Sequence, residues 1–365
     1  MAKVDRFIGL MSGTSLDGVD AILADLTGGK FRMAAHHFLP YDEGLRLQLL
    51  GLHDSRAGEL HDAAMMSNRL AQLYAKAVTE LLRNTDVKSS AIRAIGCHGQ
   101  TVRHRPELGY TLQLGNSALL AELTGIDVIS DFRSRDIAAG GQGAPLVPAF
   151  HQAVFSHPQK HRVIVNIGGI ANITDLAPGG KILGFDTGPG NILLDAWIQR
   201  HLGRSYDENG NWAGGGQVIP SLLDVMLGFE FFSFPPPKST GRDTFNLDWV
   251  SRCLRGGEKP EDVQATLLKL TATSIAKAVR WQANEKAEVY LCGGGAHNRA
   301  LVEQLKRELS GNSIAATDDL GVGADWVEAC AFAWLAQRCI TRTAGNLAEV
   351  TGARGDRILG AIYPG

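Results

Sequence analysis

Phe7-Ile-Gly-Leu-Met-Ser-Gly-Thr-Ser-Leu-Asp-Gly-Val-Asp-Ala-Ile-Leu23 is the stretch that decides the fold of this chain. A short apolar run, Phe7 to Met11, leads into a polar turn, and apolar residues resume from Val19 to Leu23. Two short apolar runs around a glycine-bearing turn are typical of paired strands. The stretch therefore predicts a β-hairpin, which we expect at the edge of a buried sheet.

The turn of this hairpin combines hydroxyls, glycines and carboxylates within nine residues, Ser12 to Asp20. Glycine lets backbone N–H groups approach an anion closely, and hydroxyls add further donors, so the turn could cradle a phosphate. A carboxylate beside such a cradle would hold Mg²⁺ directly or through water. The same residues are also compatible with an ordinary hairpin that has a polar turn.

Length and composition restrict the class of protein. A chain of 365 residues is longer than one typical domain, so two domains of roughly 150–200 residues are expected. Glycine is in excess at 43 residues and is clustered in short loops, which favours tight turns around a ligand. The net charge of −2 gives no reason to expect a nucleic-acid or membrane partner.

The cysteines and the apolar runs bear on location. Five cysteines are scattered without a CxxC spacing, which favours a reducing compartment and argues against a zinc site. The apolar run after Arg6 is too short for the core of a signal peptide, and no window approaches 18 consecutive apolar residues. We therefore expect a cytoplasmic protein.

A second strand-turn-strand, Arg162 to Thr174, repeats the opening design with Gly168-Gly169 in its turn and Asn172 after it. Two such hairpins, one in each half of the chain, suggest an internal duplication with a ligand between the halves. The glycine-rich stretch from Ala138 to Pro148 separates them. We place the domains at residues 1–145 and 146–365, with a C-terminal tail that could pack back on the first domain.

Three further segments have the character of binding loops or buried acids. His98-Gly-Gln-Thr101 follows a predicted strand, Ile92 to Cys97, at the end where α/β folds keep their sites. Gly293-Gly-Gly-Ala-His-Asn298 lies between a strand and a helix, where partial positive charge gathers. Glu328 is an isolated acid in a hydrophobic helix predicted over Ala324 to Ile340, and it must find a partner or stay near a cleft. The tail beyond is expected to be irregular.

Common enzyme motifs are missing from the sequence. It contains neither a GxxxxGK[ST] phosphate loop nor a GxGxxG dinucleotide fingerprint. HExxH and GxSxG are also missing, so zinc-protease and serine-hydrolase interpretations lack support.

Seven segments in order, from about residue 7 to about 340, resemble the 1,6-anhydro-N-acetylmuramic acid kinases of the actin, sugar-kinase and heat-shock-ATPase superfamily. The segments are Gly9-Leu-Met-Ser-Gly-Thr-Ser-Leu-Asp-Gly18, Gly96-Cys-His-Gly-Gln-Thr101, Asp131-Phe-Arg, Gly141-Gln-Gly-Ala-Pro-Leu-Val-Pro148, Asn166-Ile-Gly-Gly169, Phe185-Asp-Thr-Gly-Pro-Gly-Asn191 and Lys238-Ser-Thr-Gly-Arg242.

This resemblance implies two related α/β domains with an interdomain nucleotide cleft, and ATP with Mg²⁺ as cofactors. The opening turn would be the first phosphate loop, with Asp17 as the partner of Mg²⁺. Gly168, Gly169 and Asn172 would form the second phosphate loop, and Gly293, Gly294 and Gly295 the adenosine loop. The first loop comprises Gly13, Thr14, Ser15, Leu16, Asp17, Gly18, Val19 and Asp20.

The resemblance also implies that Asp186 is the catalytic base. It would deprotonate a water that attacks the anomeric carbon of an internal acetal, while the departing sixth oxygen attacks the γ-phosphorus of ATP. The product would be N-acetylmuramic acid 6-phosphate, formed during recovery of cell-wall sugar. From the residues alone, Asp186 could instead cap a helix predicted from Gly188 to Trp197 or satisfy nearby N–H groups.

Six polar residues are expected to contact the sugar. Arginine matches a carboxylate in a bidentate fork, and we favour Arg135 over Arg133 for the lactyl carboxylate of the substrate. A histidine at a strand end is often structural, and loop arginines are often only solvated. Lys238 and Arg242 could approach the phosphates or simply lie on the surface. The six residues are His98, Gln100, Thr101, Asn116, Arg135 and Gln142.

Family members are similar in forming homodimers, so a homodimer is expected. Two other functions fit the same residues. One is a conventional sugar kinase in which Asp186 deprotonates a hydroxyl and no glycosidic bond breaks. The other is an ATP-driven conformational module that hydrolyses ATP slowly and does not respond to sugar.

Overall fold

The computed structural model describes residues 4–13, 15–53, 57–236, 238–283 and 286–365. The chain divides into two compact units. The first comprises Met1–Val154 and Trp326–Gly365, and the second comprises Phe155–Asp325. The boundary falls nine residues after the expected one, and the last forty residues belong to the first unit, as the expectation for the C-terminal tail allowed.

Twelve strands and thirteen α-helices are present in the described residues. The strands are β1 Arg6–Ser12, β2 Gly18–Asp25, β3 Arg32–Pro40, β4 Ala94–Arg105, β5 Tyr110–Leu114, β6 Val128–Ser130, β7 Arg162–Ile167, β8 Ile170–Leu176, β9 Leu183–Pro189, β10 Glu288–Cys292, β11 Ser313–Ala316 and β12 Ala361–Tyr363. The helices are α1 Glu43–Leu50, α2 Glu59–Arg83, α3 Ser117–Thr124, α4 Ser134–Ala138, α5 Val147–Phe155, α6 Ile192–Leu202, α7 Asn211–Gly215, α8 Pro220–Leu227, α9 Leu247–Cys253, α10 Pro260–Gln282, α11 Arg299–Glu308, α12 Val327–Ile340 and α13 Ala348–Thr351.

The two units are built on the same strand order. In the first, β1, β2 and β3 form an antiparallel meander, β4 runs parallel to β1, and β6 runs parallel to β4. In the second, β7, β8 and β9 form the meander, β10 runs parallel to β7, and β11 runs parallel to β10. The first sheet adds β5 beside β4 and β12 beside β6. The expected duplication and the α/β fold class of two related units are confirmed.

The opening hairpin is present, but its place in the sheet differs from the prediction. β1 and β2 pair antiparallel from Arg6↔Asp25 to Met11↔Asp20. The prediction that they lie at the sheet edge is wrong, because β4 pairs with the far side of β1 and β3 with the far side of β2. The sequence of a hairpin does not show which strands will pair with its outer sides, so only the assembled sheet decides this.

β4 is longer than predicted. Its first half pairs with β1 and β6, and its second half continues as the antiparallel partner of β5. The polar cluster His98 to Thr101 therefore lies inside the strand and not after its end. The pairing shifts by one residue between Leu10 and Ser12, where Gly99 adopts a φ of 75° that favours glycine. This bulge lets one strand serve two different partners.

Two long helices cover the sheets because their apolar residues recur at helical spacing. In α2, Leu70, Tyr74, Ala77 and Leu81 are buried along one face. α10 begins with a proline at its first position and acidic residues in its first turn, which suit a helix N-terminus. It packs against β8 and β9 of the second unit.

α12 packs directly on the first sheet through two paired glycines. Gly9 on β1 and Gly96 on β4 are register partners. A Cβ at Gly9 would overlap the carbonyl oxygen of Ala329, and one at Gly96 would overlap the carbonyl oxygen of Phe332. The helix backbone can reach the sheet only because neither strand carries a side chain there.

The C-terminal segment is tied to the first unit by a buried carboxylate. Asp136, fully buried, accepts from Thr351 Oγ1 at 2.7 Å, from Asn346 Nδ2 at 2.6 Å and from the Gly143 amide at 2.8 Å. β12 adds an antiparallel strand beside β6. The expectation of an irregular tail is wrong for residues 348–351 and 361–363, because these segments gain their structure from long-range partners.

Across the described ranges, no helix combines the length and apolarity needed to cross a membrane.

We predict that Gly96→Ala destabilises the first unit by about 3 kcal/mol, because the new methyl group forces α12 away from the sheet. Urea unfolding followed by circular dichroism measures this change. The matched control is Gly51→Ala in the same unit, where an added Cβ meets only ordinary contacts at 3.5–3.6 Å. Equal unfolding midpoints for the two variants would contradict the packing argument.

Candidate functional site

The second glycine turn presents backbone amides at the carboxyl end of β7. A Cβ would find no atom closer than 3.6 Å at Gly168 or 3.9 Å at Gly169, so the turn is open on its outer side. The carbonyl of Gly168 accepts from the Asn191 amide at 2.8 Å, and that of Gly169 accepts from the Gly190 amide at 2.9 Å. Neither glycine amide donates to another described residue, so both remain available to an anion.

The turn that follows β9 is held against this loop. A Cβ at Gly190 would overlap the carbonyl oxygen of Gly168, so a glycine is required for the approach. α6 begins directly afterwards at Ile192, and the Ile192 amide donates to Gly169 O at 3.1 Å. The loop and the first turn of a helix therefore meet, which is an arrangement that favours anions.

Asp186 lies within β9, opposite Asn172 of β8 in the register. Paired residues project from the same face of a sheet, so the structure brings these two predicted residues together. Asp186 does not cap α6, which starts six residues later. The catalytic candidate is thus fixed by a strand and not by a helix terminus.

One oxygen of the Asp186 carboxylate is anchored, and the other is not. Oδ2 accepts from Ser239 Oγ at 3.0 Å and from the Thr240 amide at 2.9 Å, while Lys238 O accepts from the Asp186 amide at 3.0 Å. In the described part of the chain, Oδ1 has no hydrogen-bond partner. The carboxylate is therefore held in one orientation, and its Oδ1 is available to accept a hydrogen bond or a proton.

Burial raises the pKa of Asp186, while the bonds from the Thr240 amide and the Ser239 hydroxyl oppose this shift. The net direction is upward, so the group is a better proton acceptor than an exposed aspartate. A partly desolvated carboxylate with one free oxygen is the arrangement expected of a general base.

The third glycine run lies at the carboxyl end of β10, next to β7 in the sheet. Gly293 has a φ of 77°, and a Cβ there would overlap Asn166 Oδ1. A Cβ at Gly295 would overlap the Ile167 side chain, whereas Gly294 has space to 3.9 Å. Two of the three glycines therefore serve close packing on β7, and only Gly294 leaves its surface open.

The first loop of the first unit is braced from behind. Gln100 Nε2 donates to Gly13 O at 3.1 Å, and the Ser12 hydroxyl bonds both Tyr41 at 2.6 Å and Tyr74 at 2.9 Å. Leu16 turns the chain with a φ of 58°. Thr14, one of the predicted contacts, lies outside the described residues.

The remaining first-loop residues differ in what they can offer. The side chains of Leu16 and Val19 are buried in the core, so only their backbone could approach a ligand. A Cβ at Gly18 would meet Leu39 O at 2.5 Å, which assigns this glycine to packing against β3. Asp20, partly buried, lies on β2.

The single carboxylate beside this loop is compatible with a Mg²⁺ ion that takes most of its ligands from water and substrate phosphates. Asp17 is exposed, and its Oδ1 accepts from Ser15 Oγ at 2.7 Å. The described residues contain no group of three metal-binding side chains. Mg²⁺ often takes one or two carboxylates together with waters and substrate phosphates, so a single exposed carboxylate is compatible with it.

A cluster of polar side chains centres on Arg133, which is partly buried in the first unit. Its Nη2 and Nε lie 2.8 and 3.2 Å from His98 Nε2, and its Nη1 donates to Gly143 O at 2.8 Å. Burial lowers the pKa of Arg133 to about 10, and Glu328 and Asp136 oppose the shift. Burial and then Arg133 lower the pKa of His98 to about 3, so this histidine is neutral at physiological pH and accepts from the arginine.

The charge of Glu328 on α12 interacts favourably with that of Arg133. Burial raises the pKa of Glu328, and Arg133 opposes this shift. The ring of Phe332, one turn further along α12, lies 4.7 Å from the His98 ring. α12 therefore supplies both a counter-charge and an apolar wall to the same group.

Three of the residues predicted to contact the sugar form hydrogen bonds with other residues of the protein. Gln100, fully buried, braces Gly13. Thr101 Oγ1 accepts from Gln113 Nε2 at 3.2 Å across the β4–β5 pair. Asn116 caps α3, its Oδ1 accepting from the Leu119 amide at 3.0 Å.

Arg135 and Gln142 are exposed, unlike these three. Arg135 lines a cavity of about 280 Å³ in the first unit together with Asp131 and Arg342. Its guanidinium has no hydrogen-bond or ion-pair partner in the described ranges, whereas that of Arg133 is occupied. The structure therefore leaves Arg135 available to a carboxylate and uses Arg133 as a brace.

Sequence reasoning missed the role of residues 239 and 240 around Asp186 and the link from Arg133 to His98. The motif Lys238-Ser-Thr-Gly-Arg242 was a signal for the first, since a polar loop of this kind is expected to bond to another polar group of the protein. No sequence signal was available for the second, because the two residues come from different elements.

The duplicated strand order, with glycine turns at the ends of central strands, defines an α/β protein of two related units. The oriented carboxylate of Asp186 in the second unit is its candidate catalytic group. The family profile described as anhydro-N-acetylmuramic acid kinase matches residues 5–365. The chain is 57% identical over 360 residues to the anhydro-N-acetylmuramic acid kinase of Nitrosomonas europaea, covering 98% of this chain and 99% of that protein. It is 56% identical over 364 residues to that of Nitrosospira multiformis, covering 99% and 100%. The chain belongs to the anhydro-N-acetylmuramic acid kinase family, and the resemblance found in the sequence is confirmed.

Solved structures give weaker likenesses. Component A of the (R)-2-hydroxyglutaryl-CoA dehydratase of Acidaminococcus fermentans has a TM-score of 0.47 at 14% identity, covering 90% of this chain and 96% of that one. A ROK family glucokinase of Streptomyces griseus, in complex with glucose and AMPPNP, has a TM-score of 0.41 at 12% identity, covering 92% and 99%. The fold class therefore rests on the strand order and the family.

We predict that Ser239→Ala raises the pKa of Asp186 further, because it removes a donor that stabilises the charged carboxylate. A ¹³C NMR titration of the labelled aspartate carboxyl carbons measures this, with Asp186 assigned by the loss of its signal in Asp186→Asn. The control Ser251→Ala removes a hydroxyl that donates to Leu247 O on α9 and should leave the titration unchanged. A fall in the pKa of Asp186 in Ser239→Ala would contradict the assignment.

Proposed function

We propose that this protein is an ATP-dependent kinase that opens the 1,6-anhydro ring of 1,6-anhydro-N-acetylmuramic acid and phosphorylates O6. The products are N-acetylmuramic acid 6-phosphate and ADP, and the setting is peptidoglycan recycling. Membership of the family supports the substrate. The single structural observation that supports the chemistry is the Asp186 carboxylate, anchored through Oδ2 and open at Oδ1.

In the proposed reaction, Asp186 Oδ1 accepts a proton from a water whose oxygen attacks the anomeric carbon. The bond between that carbon and O6 breaks, and O6 takes the γ-phosphoryl group as ADP leaves. Water becomes acidic as it bonds to an oxocarbenium-like centre, so a carboxylate suffices as base, as in inverting glycosidases. The raised pKa of Asp186 improves its match to this task.

A glycosidase also needs an acid for its leaving oxygen, but this reaction does not. Phosphoryl transfer quenches the charge that develops on O6, so one catalytic carboxylate is enough. The described bonds of Asp186 in the second unit fit this requirement. The groups bonded to its carboxylate are the Ser239 hydroxyl and the Thr240 amide, and neither is a second carboxylate.

The glycine turns supply the proposed contacts to ATP. In the second unit, the free amides of Gly168 and Gly169 suit phosphate oxygens, Asn172 adds an amide side chain, and the run from Gly293 to Gly295 suits the nucleoside. In the first unit, the backbone from Gly13 to Asp20 would cradle the β- and γ-phosphates. Mg²⁺ held by Asp17 would neutralise charge on the transferred group.

The first unit supplies the proposed contacts to the sugar. Arg135 would bind the lactyl carboxylate, since its guanidinium is exposed and has no described partner. Gln142 is exposed and can reach a ligand, while Thr101 could share its hydroxyl with a sugar hydroxyl. His98, Gln100 and Asn116 are better placed to hold the loops in position, so we propose that they act mainly through these loops.

Two finer expectations belong to the same proposal. The net charge of −2 and the scattered free cysteines are compatible with a cytoplasmic enzyme that needs no nucleic acid. A homodimer is proposed from the family resemblance. Size-exclusion chromatography with light scattering measures the second.

We predict that Asp186→Asn lowers turnover by at least about 100-fold, because an amide cannot accept the water proton. Binding of ADP, measured by calorimetry, should persist. The control Asp224→Asn alters an exposed aspartate on α8 and should keep full activity. Near-normal turnover in Asp186→Asn would reject the assignment.

Reaction in ¹⁸O-labelled water separates this function from the alternatives. Under our proposal one label enters the anomeric hydroxyl of the product. A conventional sugar kinase would leave the anomeric oxygen unlabelled. An ATP-driven module would release labelled phosphate at a rate that anhydro-sugar does not change, and either result would overturn the proposal.

A further inference from the structure

A second cavity, of about 400 Å³, lies in the second unit behind the strand that carries Asp186. Phe185 and Thr187, the neighbours of Asp186 on β9, line it from one side. One face of α10 lines it from another, with Lys277 and Trp281 spaced by one helical turn. Ligand sites of small molecules commonly have this size.

The charged side chains of the described residues that line this cavity are all positive. Lys238, Lys277 and Arg280 line it, and no aspartate or glutamate does so among the described residues. Arg280 is partly neutralised, since its Nη1 donates to Glu308 O at 2.9 Å and lies 3.8 Å from the Glu308 carboxylate. The two lysines have no described carboxylate within ion-pair distance.

The described groups that the Lys238 ammonium contacts are neutral. Its Nζ donates to Phe231 O at 3.0 Å and lies 4.5 Å from the centre of the Phe231 ring. Burial and the nearby charge of Lys277 lower the pKa of Lys238. Two ammonium groups that repel each other across a cavity would both be stabilised by an anion between them.

The rest of the lining suits the body of a small organic molecule. The ring of Phe232 and the exposed indole of Trp281 offer apolar faces, on which sugars and aromatic groups pack. Trp281 is 56% exposed, so its ring is accessible to a ligand from solution. Anionic and apolar recognition are thus combined in one place.

We propose that this cavity binds a phosphate monoester of about hexose size, and that the bound phosphate, through Lys238, steadies the segment that holds Asp186. Lys238 connects the two places, because its side chain lines the cavity while its carbonyl accepts the Asp186 amide. The next two residues bond the Asp186 carboxylate. A consequence of this steadying for turnover, through Asp186, rests on the proposed function, whereas binding and the steadying of the segment do not.

Binding is tested by titrating the full chain with N-acetylglucosamine 6-phosphate and following tryptophan fluorescence. Saturating ADP is present so that the proposed nucleotide loops are filled. We expect saturable binding that Lys277→Ala weakens by about tenfold or more, as loss of a charge-assisted hydrogen bond should. Lys277 is exposed, so the variant should fold. Lys277→Arg should retain binding.

Lys306→Ala is the matched control, since it removes an exposed helical lysine of the same unit that pairs with Glu303. It should leave the affinity unchanged, and uncharged N-acetylglucosamine should not bind. The proposal is overturned if the wild type shows no saturable signal or if Lys277→Ala binds as tightly as wild type. Equal affinity for inorganic phosphate would overturn the assignment of a hexose-sized ligand.

Hydrogen exchange measures the connection to Asp186 without any assay of activity. Ligand at a concentration that just saturates the wild type should slow exchange of the Asp186 amide in the wild type and in Lys306→Ala. The same concentration should slow it less in Lys277→Ala, because less of that variant is occupied. Unchanged exchange in the ligand-bound wild type would overturn the steadying effect. Should the kinase reaction itself fail while binding and exchange behave as expected, only the proposed function is lost.

Discussion

The close approach of α12 to the paired glycines Gly9 and Gly96 is the constraint on which the first unit depends. The helix backbone occupies the space that two side chains would fill, so the contact is backbone against backbone. α12 comes from the far end of the chain, and this contact places it in the core of the first unit. It also sets Phe332 against the His98 ring and brings Glu328 near Arg133. A polar group inside this unit is thus positioned by apolar packing.

In the second unit the corresponding constraint is the orientation of one carboxylate. Strand pairing fixes the backbone of Asp186 opposite Asn172, and the segment 238–240 fixes one of its oxygens. Burial raises its pKa while the two donors lower it, and burial has the larger effect. A carboxylate held this way has both a raised pKa, which a base needs, and a fixed orientation. The same segment borders the cationic cavity on the other side of β9, which links the two places physically.

Glycines have two separate roles in this protein, and both occur in the segments that resemble the family. Gly168, Gly169 and Gly294 leave open space around the Cα atom, as a turn needs if an anion is to approach. Gly18, Gly190, Gly293 and Gly295 instead let chain segments pack closely against each other. A glycine-rich motif is therefore compatible both with ligand contact and with tight packing, and the sequence alone does not distinguish the two.

The sequence by itself determined the hairpins, the duplication and the family, because local apolar patterns and turn chemistry act over short stretches. It also indicated the glycine loops and Asp186 as candidates for the site. Only the tertiary structure decided that the opening hairpin lies inside its sheet, that β4 continues through the polar cluster and that the tail completes the first unit. It also decided that Ser239 and Thr240 hold Asp186 and that Arg133 is used as a brace, while the Arg135 guanidinium has no partner among the described residues. These outcomes depend on contacts between residues far apart in the chain, whose strength comes from burial and pairing that no local stretch contains.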